Sequence, residues 1–166
     1  MLPGKTFNVT IIDDDPLMRE MLSDYFTSRF PGSTVNAFTT GEDALAANLD
    51  GQQLILLDYH LSVNKKESMN GLQVLRQLNS RYNGLPVIVF SGQDNPEIAA
   101  ATVQYGAWDY IIKNDNAFNR LGVEVTKLMD RAVLINETAA RSKMVRLSIL
   151  LAAVLFIWLL ATKFTG

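Results

Sequence analysis

A chain of 166 residues has room for one ordinary domain and a short appendage, since domains most often run to about 100 to 150 residues, so a two-domain enzyme is not expected. With 15 basic against 17 acidic residues and a formal charge of −2, no positive excess exists to neutralise a nucleic-acid backbone, and nucleic acid is not an expected partner. Cysteine is absent, which excludes disulfides and thiolate metal sites and suits a reducing compartment.

The N-terminal residues MLPGKTFNVTIIDDD lack the apolar stretch of a secretory signal, so the domain is expected on the cytoplasmic side. Val9 to Ile12 is the first apolar run rich in β-branched residues, and it is followed by Val35 to Phe38, Leu54 to Leu57, Val87 to Phe90 and Tyr110 to Ile112. Helix-length segments separate these runs, and that alternation predicts a parallel sheet. Runs such as VTII, LILL and VIVF are continuously apolar, as strands covered on both faces are, so the expected fold is α/β with a doubly wound five-stranded sheet.

The first helix is expected to open with Asp15 as N-cap and Pro16 in its first turn, to carry a stripe from Leu17 to Phe26, and to end at Pro31 and Gly32. Thr39 with Glu42 reads as a capping box for the second helix. Leu72, Leu75 and Leu78 line a third; Asn95 and Pro96 open a fourth, which stops at Tyr105 and Gly106. The fifth begins near Asn116 and runs through Leu121, Val125, Leu128, Ala132 and Ile135, a heptad too weak for a firm coiled coil. Ser62 to Asn70 is the longest polar loop and is expected to be mobile.

The chain ends differently. Leu147 to Thr162 carries no charge and shows no polar stripe, and extension to Met144 and Phe164 brings it to membrane-spanning length with Arg146 and Lys163 at opposite interfaces. Arg141, Lys143 and Arg146 precede it and only Lys163 follows, which by charge bias places the N-terminal part inside. The expected organisation is a domain over 1–130, a helical linker over 131–143 and a C-terminal transmembrane helix over 144–164, in a single-pass protein of the cytoplasmic membrane. A buried helix or an oligomer interface is the alternative for this segment.

In an open α/β sheet, ligands bind beyond the carboxyl ends of the strands. Asp13 and Asp14 follow the first strand, Asp58 the third, Ser91 the fourth and Lys113 the fifth, so all five converge on one edge. Each alone is a common cap, turn or surface residue. Together, three carboxylates repel one another and a single ammonium offsets only one charge, which implies a divalent ion; oxygen ligands with retained waters suit Mg²⁺.

IIDDDP, LILLDYHL, PVIVFSG and GAWDYIIKN, in that order, resemble the receiver domains of bacterial response regulators, a likeness that covers about Phe7 to Met129. The resemblance implies a flavodoxin-like strand order 2-1-3-4-5 and a phosphoryl group carried on Asp58. It implies Asp14 as a direct Mg²⁺ ligand, Asp13 as an acidic neighbour acting partly through water, and the backbone carbonyl of His60 as a further ligand beside Asp58. Ser91 and Lys113 would contact the phosphoryl oxygens, and Ser91 with Tyr110 would form the switch. An ionised carboxylate is a nucleophile at neutral pH without a general base. His60, the sole histidine, reads first as a loop residue and alternatively as a group that positions hydrolytic water.

Three departures stand out. The connection from Asp58 to Gly71 is about five residues longer than the family pattern and lacks its proline. Asn114 stands where proline usually follows the lysine, and a cis bond there would cost about 2.5 to 4 kcal/mol. An apolar tail stands where most response regulators carry an output domain. The expected function is a membrane-tethered, stand-alone receiver that is not an enzyme in its own right, phosphorylated by a histidine kinase or histidine phosphotransfer protein and acting on a downstream protein. A phosphorylation-independent scaffold is one alternative. A haloacid-dehalogenase-like phosphatase is another, although that family needs an aspartate where His60 stands.

Overall fold

The computed structural model describes residues 7–61 and 68–164, with the side chains of 135–140 and 152–164 outside the description. Strands and helices alternate: β1 (Asn8–Ile12), α1 (Pro16–Arg29), β2 (Thr34–Phe38), α2 (Gly41–Ala46), β3 (Leu54–Leu57), α3 (Gly71–Arg81), β4 (Val87–Ser91), α4 (Pro96–Gln104), β5 (Asp109–Ile112) and α5 (Ala117–Phe164). All strand pairs are parallel, in the order β2-β1-β3-β4-β5 expected from the sequence. The chain divides into two compact units, Met1–Arg120 and Leu121–Gly166.

Burial follows strand position. Every residue of β3 and β4 is buried, whereas β2, at the edge of the sheet, has no buried residue. On one face Ile12, Ile55, Leu57, Val87 and Val89 pack with Ala44 and Leu45 of α2 and with Val74, Leu75 and Leu78 of α3. On the other, the ring of Phe118 lies 6.1 Å from Phe90 and 5.1 Å from Tyr25, whose hydroxyl donates to the Phe118 carbonyl at 2.9 Å. Each fully buried aliphatic or aromatic side chain contributes about 1.5 to 3 kcal/mol, so the two layers hold the sheet from both sides.

Local signals explain most helix ends. Asp15 caps α1 through its carboxylate, which accepts from the Leu17 amide at 2.9 Å, with Pro16 in the first turn as expected. α4 is capped by Asn95 and followed by Gly106 at φ 91°, a left-handed conformation that glycine adopts without a Cβ clash. The α2 expectation is corrected: the N-cap is Thr40, whose hydroxyl accepts from the Asp43 amide at 3.1 Å, so Thr39 and Glu42 do not form the box. A capping box does occur at α3, between Asn70 and Gln73. Residues 62–67, where most of the expected mobile loop falls, lie outside the described residues.

α5 is one continuous helix to Phe164. In the second unit Met144, Val145, Leu147, Ile149, Leu150 and Leu151 are exposed. Among the described residues no helix is long and apolar enough to cross a membrane. The expected transmembrane helix over 144–164, and with it the expected single-pass localisation in the cytoplasmic membrane, is therefore corrected. Sixteen uncharged residues rise only about 24 Å, short of a hydrocarbon layer of roughly 30 Å, and lengthening the stretch brings Arg146 and Lys163 into it.

Candidate functional site

Two neighbouring parallel strands deliver acidic residues to one edge. β1 ends at Ile12 and β3 at Leu57, neighbours in register, so Asp13 and Asp58 leave the sheet side by side. The Asp58 amide donates to the Ile12 carbonyl at 2.8 Å and extends the ladder by one rung into the site. Asp13, Asp14 and Asp58 each offer a carboxylate oxygen within 4.8 Å of the others.

Lys113 enters from the end of β5. Its ammonium donates to Asp13 Oδ2 at 2.8 Å and lies 3.3 Å from Asp58 Oδ2, 5.9 Å from the centre of the Phe90 ring. The Lys113 amide donates to the Ser91 carbonyl at 2.7 Å, which ties the lysine to the end of β4. Every described peptide bond is trans, including the one before Asn114.

Asp13 is 2 % exposed. Burial raises its pKa above the ordinary 3.8, the Lys113 hydrogen bond and charge together with the Asp15 amide oppose that rise, and the charge of Asp58 adds to it. Asp13 Oδ1 accepts from the Asp15 amide at 2.9 Å. Its carbonyl also accepts from Arg19 Nη1 at 2.6 Å, a contact no local motif announces because it spans a strand end and a helix turn. Asp58, 7 % exposed, accepts from the His60 amide at Oδ1, 3.2 Å away; His60 itself is exposed and its ring packs edge-on to Tyr59.

The remaining expected residues sit one strand further on. Ser91 is buried at the end of β4, and its Oγ accepts from the Gln93 amide at 3.2 Å. Tyr110 is buried too, with its hydroxyl donating to the Gln93 carbonyl at 2.7 Å. Gln93 thus joins the two residues expected to form a switch, a link absent from the sequence reading because its backbone makes both contacts.

Three carboxylates gather beside one ammonium in a largely buried pocket, and a hard divalent cation with oxygen ligands fits that donor set.

A family model described as Response regulator receiver domain matches residues 9–126. The chain belongs to this family. Receiver domains are phosphoacceptor signalling modules, phosphorylated by histidine kinases, that bind Mg²⁺ at such an acidic pocket. Similar curated proteins include the glycerol metabolism activator of Pseudomonas putida, 32 % identical over 112 residues, covering 65 % of this chain and 48 % of that protein. The transcriptional regulatory protein MalR of Bacillus subtilis is 31 % identical over 109 residues, covering 64 % and 43 %. This chain therefore spans less than half the length of these two relatives. Among solved structures, NtrX of Brucella abortus is 25 % identical with a TM-score of 0.68, covering 81 % of this receiver and 30 % of that chain. The CheY-like receiver of Methanospirillum hungatei, 23 % identical with a TM-score of 0.65, covers 77 % and 98 % and shares the fold.

Proposed function

We propose that Asp58 accepts a phosphoryl group from a phosphohistidine on a histidine kinase or phosphotransfer protein, and that phosphorylation changes the affinity of this receiver domain for a downstream protein. The observation that carries this reading is the cluster itself: Asp58 closes a buried strand with Asp13 and Asp14 beside it and the Lys113 ammonium 3.3 Å away. An oxygen of Asp58 forms the new P–O bond as the P–N bond breaks, and the electron pair leaves on the imidazole.

Lys113 shares its charge between Asp13 and Asp58, and in this reading it swings to the phosphoryl oxygens once they arrive. Ser91 turns its hydroxyl to the same group, and Tyr110, already buried, follows through Gln93. Asp13, Asp14, Asp58 and the His60 carbonyl would hold Mg²⁺, which when bound neutralises charge on the phosphoryl oxygens. Residues 1–130 form the receiver in this reading and 131–143 a helical linker.

Asp58→Asn keeps the side-chain shape and removes the nucleophile. Incubation with a small acyl phosphate and Mg²⁺, followed by intact-mass spectrometry, should add one phosphoryl mass to the native protein and none to the variant. Equal labelling of both would assign the acceptor elsewhere.

A further inference from the structure

The connection that follows Asp58 is long, yet both its ends are held. Leu61 is buried in the core between the sheet and the α2–α3 layer, and Met69 packs against the same core. Just beyond, Gly71 opens α3 directly on the acceptor's backbone: its amide donates to the Tyr59 carbonyl at 3.2 Å. A Cβ on Gly71 would lie 2.6 Å from the Asp58 carbonyl oxygen and 2.6 Å from Tyr59 Cα, so only glycine permits this approach.

One side chain from another element joins this arrangement. Glu42, in the first turn of α2, accepts from the Met69 amide through Oε1 at 2.5 Å, across 27 positions of sequence. Met69 immediately precedes Asn70, the N-cap of α3, so the carboxylate sets the residue from which α3 starts. The chain of contact runs from Glu42 to the Met69 amide, through the Asn70–Gln73 capping box, to Gly71 against Asp58 and Tyr59.

We infer that Glu42 is a positioning residue for the acceptor site: by anchoring Met69 it holds the start of α3 against the Asp58–His60 backbone. The Asp58 carboxylate and the His60 carbonyl are thereby held in place at the edge of the sheet. The inference rests on the reading of Asp58 as phosphoacceptor and of the acidic cluster as a Mg²⁺ site. It requires an acceptor atom at position 42 but does not require a charge there, which separates it from a simple electrostatic effect of one more carboxylate near the pocket.

The full chain would be compared as Glu42→Ala and Glu42→Gln, with Mg²⁺ affinity, the rate of labelling by a small acyl phosphate, and hydrogen exchange of the Met69 amide as readouts. Glu42→Ala should weaken Mg²⁺ binding and slow labelling by roughly three- to ten-fold, about what one hydrogen bond is worth, and speed exchange at Met69. Glu42→Gln, whose amide oxygen accepts the same hydrogen bond, should stay within about two-fold of the native protein in all three. Native affinity and rate in Glu42→Ala, or equal losses in both variants, would overturn the positioning role. If the native protein took up no phosphoryl group, the reading of Asp58 would fall, while the Mg²⁺ and exchange measurements would still decide the role of Glu42.

Discussion

Lys113 reaches Asp13 at 2.8 Å and Asp58 at 3.3 Å, so a single ammonium tempers two buried carboxylates. Removing it in Lys113→Ala leaves Asp13 buried beside Asp58 with less compensation, and the native state should lose about 1 to 3 kcal/mol at neutral pH. Mg²⁺ should restore much of that loss, because the carboxylates that would hold the ion remain; chemical denaturation with and without Mg²⁺ measures both effects. The pKa of Asp13 lies above 3.8 in the fold, chiefly through burial. A raised value means that the folded state favours the proton: this contribution is full below 3.8 and is lost as pH climbs through the folded value. Ionisation of Asp13 therefore opposes folding at neutral pH even with Lys113 beside it, unless a divalent cation binds. The Mg²⁺-induced rise in Tm should be small near about pH 4 and large near about pH 7.5, and equal rises at both would contradict a carboxylate site.

The α2–α3 layer depends on a close approach at its first helix. A Cβ on Gly41 would fall 2.1 Å from Val74 Cγ2 and 3.2 Å from Val74 Cγ1, and Val74 is a stiff β-branched side chain within the core. Gly41→Ala should cost about 1 to 3 kcal/mol by overpacking. Combined with Val74→Ala it should cost less than the two changes summed, a coupling that urea denaturation of the four proteins would reveal. The same layer carries Glu42 to Met69 and so links its packing to the acceptor.

All the groups of the candidate site belong to the unit Met1–Arg120, whereas the uncharged stretch Leu147 to Thr162 belongs to Leu121–Gly166. Deletion of 147–166 should leave both the rate of Asp58 labelling and the Mg²⁺ affinity within about two-fold of the full chain, since no group of the candidate site comes from those residues. A large loss of either would show that the end of α5 contributes to the chemistry. The charge balance of the whole chain, slightly acidic, carries no electrostatic argument for nucleic acid.

Periodicity alone determined the alternating elements, because buried parallel strands must be apolar on both faces and five such runs stand between helical stripes. The carboxyl-end rule then placed Asp13, Asp14, Asp58, Ser91 and Lys113 at one edge, and the structure brings the three carboxylates and the ammonium into contact distance there. Local pattern misled at α2, where two adjacent threonines compete for one cap and the geometry selects Thr40. It also misleads at the tail, where an apolar run predicts a membrane span that no helix among the described residues satisfies. Arg19 at the Asp13 carbonyl, Glu42 at the Met69 amide, Gln93 between Ser91 and Tyr110, and Gly71 against Asp58 were decided by tertiary structure. Each of these contacts involves a backbone atom that every residue possesses, so no residue type marks its partner in advance; only the packed fold brings the two together.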